Sequence, residues 1–269
     1  MPKPGRSNAD RMKVLVCVRQ VPDPEALFRI DASRTWIEPL PQDLYRMNRY
    51  DEYALEEALR IREAFPETRI DALSVGPERA ARTVRRALEM GANGGIHIVL
   101  DDERYRMPRE TASLIAAHAE GKGYDLIFAG VMAEDDMQGQ VGPMVARLLD
   151  YPCATAVMSQ KISPADRCIV VERELEGGRR EAVALAMPAL LTVQSGINRP
   201  RYPALSHVLR ARSQPLITIG GKAVTPPWDG EAVICLEEPA PATSCAFLSG
   251  SAAEKADRLV QLWQEKALL

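Results

Sequence analysis

Residues 125–143, DLIFAGVMAEDDMQGQVGP, join an apolar strand to the entrance of a helix. The apolar run after Asp125 is short and continuous, which is typical of a strand buried on both faces of a parallel sheet. Gly139 and Gly142 stand where the backbone must turn tightly, and the helix that follows is predicted to run to Leu149. A strand followed by a helix is the repeating unit of α/β folds, so this stretch predicts the fold class.

The same unit recurs through the first half of the chain. The pattern predicts strands at residues 13–18, 69–74, 95–100 and 125–129, and helices from Asn48 or Asp51 to Ala64, at 79–90 and at 109–119. This alternation predicts an α/β fold with a doubly wound, mostly parallel sheet, Rossmann-like and of the adenine-nucleotide-binding type. Ligands of such sheets bind beyond the carboxyl ends of the strands, so we expect the loops after Val18, Ser74 and Ala129 to converge on a site.

The second half of the chain has a different pattern. It predicts strands at residues 154–161, 167–174 and 180–186, with Gly177-Gly178 as a hairpin turn, followed by a strand at 189–196, a helix at 205–212 and a strand at 216–219. The first three of these strands predict an antiparallel ribbon appended to the parallel sheet.

The C-terminal region is predicted to be an arm and a helix. Residues 220–251 are rich in proline, glycine and small side chains, which favours an extended arm. The helix predicted at 251–268 carries an apolar face, so it must pack either on a partner or on its own domain; that face is formed by Ala256, Leu259, Val260 and Trp263. The predicted organisation is a disordered leader at 1–11, a nucleotide-binding domain at 12–219 with a docking loop at 193–215, and the arm and terminal helix at 220–269.

Composition limits the classes of partner. Among 269 residues, 34 basic and 37 acidic side chains give a formal net charge of -3, so we expect no nucleic acid partner. No apolar run approaches the roughly 18 residues of a membrane-spanning helix, so membrane insertion is not expected. The five cysteines are widely spaced and never form C-x-x-C, which predicts neither disulfides nor a metal site and favours a cytoplasmic location.

No arrangement of residues predicts catalysis. His97, His118 and His207 fall in unrelated segments, without a second ligand or a nucleophile at motif spacing. The chain also lacks the phosphate-binding motif G-x-x-x-x-G-K-[ST], a G-x-G-x-x-G after the first strand and a G-x-S-x-G elbow. Nucleotide binding without turnover is therefore the better prediction, and we do not expect an enzyme.

The loop at residues 133–143 is the best candidate for a nucleotide site. Backbone N–H groups near Gly139 and Gly142 can approach a phosphate at the positive end of a helix dipole. Asp135 and Asp136 do not suit a phosphate, but they suit ribose hydroxyls or the cap of the following helix. A solvated acidic turn explains the loop equally well. Asn48, ahead of the first helix, fits either a helix cap or a nucleotide contact.

Basic residues dominate a long segment of the second half. Between Glu181 and Asp229 there is no acidic residue, whereas the interval contains Arg199, Arg201, Arg210, Arg212 and Lys222. This asymmetry favours docking on an acidic protein face, since electrostatics tune encounter and partner choice. A solvated edge balanced by acids elsewhere is the alternative.

Six segments of the chain form specific motifs. Two of them are the most specific, VERELEGG at residues 171–178 and NRPRYPAL at residues 198–205. The others are VLVCVR at 14–19, Met47-Asn48 before Glu56-Glu57-Ala58, SVGP at 74–77 and ALEMGA at 87–92. Together these segments resemble the beta (small) subunit of electron transfer flavoproteins, over nearly the whole chain from Lys13 to the terminal helix.

The resemblance implies a heterodimer. An alpha subunit would hold most of the redox-active FAD, and the C-terminal arm and helix of this chain would clasp that subunit. The beta subunit would bind AMP or, in electron-bifurcating relatives, a second FAD. Matched by position, the residues implied to line this nucleotide are Cys17, Asn48, Arg49, Tyr50, Asp51, Val75, Asp135, Asp136, Met137, Gln138, Gly139, Gln140, Val141, Gly142, Pro143, Met144, Val145 and Ala146.

The resemblance also implies docking on a dehydrogenase. Leu205 matches the family's anchor leucine, which inserts into an acyl-CoA dehydrogenase or a similar flavin dehydrogenase. Arg201 lies nearby in sequence, and Arg210 and Arg212 stand where the family has docking lysines, which keeps the charge and changes the geometry. Glu174 matches a carboxylate that faces the alpha subunit near its flavin.

Departures from the family pattern leave the nucleotide open between AMP and FAD. Met137 stands where the family usually has an acid, and Asp136 replaces a glycine common in the bifurcating type, although residues 140–143 resemble that type. We expect an electron carrier subunit that binds AMP or a second FAD. The alternative is a stand-alone adenine-nucleotide sensor of the universal-stress type, which would have no use for the basic segment or the arm.

Overall fold

The computed structural model describes residues 11–221, 232–240 and 245–268. The predicted leader, Arg11 excepted, and residues 222–231 and 241–244 of the predicted arm lie outside the described residues. The chain divides between Leu236 and Glu237 into two units, and each is described by itself.

The first unit alternates strands and helices through most of its length. Its elements are β1 (Lys13–Cys17), β2 (Gln20–Pro22), β3 (Tyr45–Met47), α1 (Arg49–Ala64), β4 (Arg69–Gly76), α2 (Ala81–Met90), β5 (Gly94–Val99), α3 (Pro108–Ala119), β6 (Leu126–Gly130), α4 (Val141–Leu149), β7 (Cys153–Ser163), β8 (Cys168–Glu174), β9 (Arg180–Ala186), β10 (Ala189–Val193), α5 (Leu205–Ser213) and β11 (Ile217–Gly220). In the second unit the helix α6 (Ala252–Glu265) begins after Ser251, whose hydroxyl accepts the N–H of Glu254.

Nine strands form one sheet, in the order β11-β5-β4-β1-β6-β10-β7-β8-β9. Neighbours from β11 to β7 run parallel, and β7, β8 and β9 form the antiparallel ribbon. The predicted α/β fold, with a doubly wound, mostly parallel sheet and an appended ribbon, is confirmed. From β1 the chain proceeds to β4 and β5 on one side and then returns to β6 on the other side, so the strand order reverses between β1 and β6.

The central strand β1 is buried on both faces. Val14 and Val16 pack with Leu59 of α1 in one apolar cluster, whereas Leu15 packs with Ile115 of α3 in a second cluster on the opposite face. Helices cover both faces of a parallel sheet, and an apolar side chain is therefore required at every position of a central strand. This is why the run at residues 13–18 shows no alternation of apolar and polar side chains.

A small antiparallel sheet joins the segment after β1 to the start of α1. Gln20 pairs with Met47, and Asn48 N–H donates to Arg19 O at 2.9 Å. The sequence pattern predicts no strand at β2 or β3, because three residues are too few for an alternation to show. The pairing brings the first turn of α1 beside the carboxyl end of β1.

The first turn of α1 also packs directly on the end of β6. A Cβ atom at Gly130 would lie 2.5 Å from Tyr50 Cβ, 2.6 Å from Asp51 Oδ1 and 2.9 Å from the carbonyl carbon of Tyr50. Two of these atoms belong to groups held by the helix backbone, so they have little room to move. Glycine at position 130 is therefore needed for close approach of the helix.

Gly130→Ala is expected to lower the free energy of unfolding by about 1–3 kcal/mol, because α1 and β6 must separate to admit a methyl group. Gly220→Ala is the matched control, since Gly220 also ends a strand and an added Cβ there meets nothing within 4 Å. Urea unfolding of both variants measures the difference. Equal stability of the two variants would contradict the close contact.

Candidate functional site

An open crevice lies at the carboxyl ends of β1, β4 and β6, beside the reversal of strand order. It holds about 1260 Å³ of empty space, its mouth included. Cys17, Leu73 and Ala129 line it from the strands, and the loops that follow these strands complete its walls. The crevice thus lies where doubly wound sheets bind their ligands.

Asp51 bridges β1 and β6 beside this crevice. One carboxylate oxygen accepts the main-chain N–H of Arg19 at 2.7 Å, and the other accepts that of Gly130 at 2.8 Å. The side chain is buried in the first turn of α1, where the positive end of the helix dipole favours a carboxylate. Burial raises the pKa of Asp51 to about 7, and the two main-chain donors oppose the rise. Both oxygens of Asp51 are thus used by the protein itself.

Cys17 ends β1 close to Asp51. Burial, and then the charge of Asp51, raise the pKa of the Cys17 thiol to about 12. The thiol therefore stays protonated at neutral pH and is not a nucleophile. Its contribution to the crevice is a small apolar surface.

Asn48 holds the loop that follows β6, and it does not cap α1 with its side chain. Its Nδ2 donates to Met132 O at 2.9 Å, and its Oδ1 accepts the N–H of Glu134 at 3.1 Å. The Glu134 carboxylate in turn accepts from Arg46 and from the main-chain N–H of Arg49, each at 3.1 Å. One wall of the crevice is thereby fastened to the start of α1.

Arg19 binds both acids of the loop. Its guanidinium donates to Asp135 Oδ2 at 2.7 Å and to Asp136 Oδ2 at 2.8 Å. Tyr105 also donates its hydroxyl to Asp136 at 3.0 Å, and its oxygen accepts from Gln138 Nε2 at 2.6 Å. Neither acid caps α4. A solvated acidic turn is not what the structure contains, because both carboxylates are mostly buried and paired.

One oxygen of Asp135, Oδ1, is buried without a hydrogen-bond partner within the described parts of the chain. Burial raises the pKa of Asp135, and Arg19 opposes the rise. A buried acceptor that lacks a donor is costly, and Asp135 lies in the wall of the crevice. A hydroxyl group of a bound ligand is the kind of donor that would satisfy this atom.

The helix α4 begins at the edge of the crevice. The backbone reaches it through Gly139, which has a φ of 62°. The first turn leaves the N–H groups of Val141 and Gly142 without a partner inside the helix, and Pro143 has no N–H. Gly142 also has a packing role, since a Cβ there would lie 2.5 Å from Thr192 Cγ2 on β10. Main-chain donors at the start of a helix are the kind of group that binds an anion.

Most of the residues predicted to line the nucleotide do line the crevice. They are Cys17, Asn48, Asp51, Val75, Asp135, Asp136, Gln138, Gly139, Gln140, Val141 and Gly142. The other predicted residues lie outside it: Arg49, Tyr50, Met137, Pro143, Met144, Val145 and Ala146. Met137 has a φ of 53° and is 68% exposed, whereas Val145 and Ala146 belong to the apolar core. Contact of any of these residues with a nucleotide stays a prediction.

The crevice also contains residues that the sequence analysis did not identify. The Trp36 and Tyr105 rings are in contact, with centroids 4.6 Å apart and planes tilted by 38°. The Arg79 guanidinium lies 3.7 Å from the centroid of the Tyr45 ring. Only Arg19 carried a usable signal, because it directly follows a strand whose loop was expected at the site. The aromatic residues come from segments without a periodic pattern.

Leu205 is the first residue of α5, and its side chain is 73% exposed. Leu209, one turn later, and Tyr202 are exposed as well. Arg210 and Arg212 are exposed on the same helix. These side chains form an apolar surface beside positive charge. The prediction that this surface docks on a partner is not tested by the geometry.

Arg201 and Glu174 have partners within the chain. Arg201 forms ion pairs with Glu56 and Glu63 of α1. Glu174 is exposed at the end of β8, where it accepts from Gln194 Nε2 at 2.9 Å. Arg201 is thus not a free cation of the basic segment.

Two further features concern possible ligands and surroundings. Within residues 11–221, 232–240 and 245–268, no group of three or more His, Cys, Asp or Glu side chains is arranged to hold a metal ion. Among the same residues, no helix is both long enough and apolar enough to cross a membrane.

The fold and the crevice are those of the Rossmann-like α/β class. Residues 41–222 match the family described as the electron transfer flavoprotein domain. The chain is 36% identical to the beta subunit of electron transfer flavoprotein, mitochondrial, of Oryza sativa subsp. indica, over 80% of this chain and 82% of the relative. The human beta subunit is 36% identical over 77% of this chain and 81% of its own, and that of Methylophilus methylotrophus is 32% identical over 76% and 78%. The chain therefore belongs to the electron transfer flavoprotein family, and the resemblance to its beta subunits is confirmed.

Asp51 is expected to make stability depend on pH. Its pKa is about 7 in the folded chain and near 3.8 when unfolded, so the folded state holds the proton longer and the free energy of unfolding falls as the pH rises from 4 to 8. Asp51→Asn should remove this part of the pH dependence. Urea unfolding of both proteins across that range measures it.

Asp166→Asn is the control for loss of one carboxylate, since Asp166 is exposed in the turn between β7 and β8. Its pH profile should match that of the wild type. An unchanged profile in Asp51→Asn would show that Asp51 does not retain its proton in the folded protein.

Proposed function

We propose that this chain is the beta subunit of a heterodimeric electron transfer flavoprotein, which holds an adenine nucleotide in the crevice and helps to hold the FAD of an alpha subunit. The observation that carries the nucleotide assignment is the buried Asp135 Oδ1 without a donor, in the wall of the crevice. The flavin, when bound, supplies the redox chemistry, and the chain supplies binding and orientation. In this proposal the chain is an electron carrier subunit without a catalytic centre of its own.

The crevice has separate groups for the parts of a nucleotide. Asp135 Oδ1 suits a ribose hydroxyl, and the main-chain N–H groups of Val141 and Gly142 suit a phosphate at the positive end of α4. Arg19 pairs with both Asp135 and Asp136 and offsets part of their negative charge, which reduces their repulsion of the phosphate. These groups therefore fit the ribose and the phosphate of a nucleotide, and adenine as its base is what the resemblance to the family implies.

AMP is the nucleotide we favour over a second FAD. Asp136 is held between Arg19 and Tyr105, so its carboxylate fills space on the crevice wall that a glycine would leave open. Met137 points to solvent and supplies no acceptor for a larger ligand. Both features favour a compact mononucleotide.

Membership in the family implies pairing with an alpha subunit, and the second unit of the chain supports this role. In its described residues no side chain is buried. Leu259, Val260 and Trp263 of α6 are each about 40% exposed and form an apolar face without a core of its own. We propose that the arm and α6 clasp the alpha subunit, and that Glu174 faces the same subunit near the shared FAD.

Docking on a flavin dehydrogenase completes the proposal. Leu205 stands out from the surface at the start of α5, next to the positive charges of Arg210 and Arg212. A single apolar anchor near charge suits a transient complex. The acyl-CoA dehydrogenase class and the cytoplasmic location stay predictions, and three plant relatives are named as mitochondrial proteins.

The nucleotide assignment predicts the content of the purified heterodimer. After denaturation it should release one AMP and one FAD. Asp135→Ala should weaken AMP binding about 10- to 100-fold, since a hydrogen bond to a charged acceptor is lost, and should leave FAD in place. Chromatography of the released nucleotides measures both.

Met137→Ala is the control in the same loop, because its exposed side chain makes no contact with the crevice. Release of two FAD and no AMP per heterodimer would show that the crevice holds a second FAD and not AMP. A homodimer that binds ATP and no flavin would favour the stand-alone sensor.

Leu205→Ala is expected to slow electron exchange with a purified acyl-CoA dehydrogenase by about tenfold or more, since a docking anchor typically contributes 2 kcal/mol or more. AMP and FAD contents should not change. Leu148→Ala is the control, because Leu148 is a half-exposed leucine on α4. Unchanged exchange in Leu205→Ala would show that this residue is not the anchor.

A further inference from the structure

The segment that carries Leu205 is attached to α1 by three acidic side chains, Glu56, Glu57 and Glu63. We propose that Glu56 and Arg201 are positioning residues for docking: their ion pair holds residues 198–205 so that Leu205 is presented to the partner. The inference rests on the proposed docking function of Leu205. It assigns to Arg201 a role other than direct contact with the partner.

Glu56 and Arg201 form a forked ion pair. Arg201 Nε donates to Glu56 Oε2 and Nη2 donates to Glu56 Oε1, both at 2.8 Å. The main-chain N–H of Arg201 adds a hydrogen bond to Glu56 Oε2 at 3.2 Å. The Glu56 side chain is only 6% exposed. Three bonds to one buried carboxylate fix the guanidinium and also the backbone at position 201.

A second attachment lies three residues earlier. Asn198 Nδ2 donates to Glu57 Oε2 at 2.9 Å and to Tyr53 O at 3.0 Å. The other oxygen of Glu57 accepts from Gln160 of β7 at 3.0 Å. The segment is therefore tied to α1 at two points before it reaches α5.

Among the residues that the structure describes, no other side-chain ion pair holds the start of α5. Ala211, near its end, is the only buried residue of the helix. The bonds from Arg85 to the carbonyl groups of Ala211 and Gln214 hold the same end. Leu205 and Leu209 are exposed, and Ala204 offers no side-chain cap. The attachment at Arg201 is thus the one nearest to Leu205 along the chain.

The positive charge of Arg201 is already paired within the chain, so it contributes little to binding a partner. Its Nε and Nη2 donate to Glu56, and its Nη1 donates to Glu63 at 2.6 Å. The guanidinium faces two carboxylates, whereas Arg210 and Arg212 remain exposed on α5. Loss of the ion pair would let the segment sample other conformations, and docking would then have to order it again.

The test uses the complete heterodimer and electron exchange with a purified acyl-CoA dehydrogenase. Glu56→Gln should raise the dehydrogenase concentration at half-maximal rate by about tenfold, with an unchanged maximal rate and unchanged FAD and AMP. Arg201→Lys keeps the positive charge but loses the forked ion pair with Glu56. It should raise the dehydrogenase concentration at half-maximal rate less than Glu56→Gln does. Glu63→Gln is the control, because the Glu63 carboxylate is 60% exposed and pairs only with Arg201 Nη1, outside the fork to Glu56.

The combination with Leu205→Ala separates positioning from general stability. If Glu56 acts through Leu205, Glu56→Gln should change exchange less than twofold in the Leu205→Ala protein. The inference would be overturned if Glu56→Gln slowed exchange equally in the wild-type and Leu205→Ala proteins, or if it lowered the maximal rate. If Glu56→Gln does not fold, the same cycle with Arg201→Lys decides. If Leu205→Ala alone has no effect, the docking proposal itself fails, which the single variant reveals separately.

Discussion

One buried carboxylate holds together the place where the sheet changes direction. Asp51 accepts main-chain N–H groups that follow β1 and end β6, the two strands between which the strand order reverses. The two strands pair with each other along their length, and Asp51 adds a side-chain link at their carboxyl ends. The helix that carries Asp51 can come close enough because Gly130 has no side chain. The crevice, the protonated Cys17 and the loop held by Asn48 all surround this link.

The fold was predictable wherever apolar residues recur with a period. The run at residues 13–18 and the strand–helix repeats after it indicated the parallel sheet, because a strand covered on both faces must be apolar throughout. The pair β2 and β3 was not predictable, since its three-residue strands are stabilised by pairing across the intervening loop. Asn48 shows the same limit. Its position before a helix suggests a cap, and its amide instead binds a loop more than 80 residues away.

The candidate site was predictable in its glycines and only partly in its charges. A turn that needs positive φ at Gly139 is a local property, so the sequence alone indicates it. The partner of Asp135 and Asp136 is Arg19, which lies 116 and 117 residues earlier, and no local pattern connects them. The same holds for Arg201. Within its own segment Arg201 looks like one more surface cation. The carboxylates that it binds, Glu63 and Glu56, lie on α1, 138 and 145 residues earlier.

The helix α1 sets the distance between the crevice and the segment that carries Leu205. Asp51 and Asn48 at its start organise the crevice, and Glu56, Glu57 and Glu63 bind the segment before α5. A helix rises about 1.5 Å per residue, so the twelve residues from Asp51 to Glu63 set a span of about 18 Å. Evolution can lengthen or shorten the loop at residues 23–44 without changing that span. A single residue inserted between Asp51 and Glu56 would rotate the later acids by about 100° and detach one surface from the other.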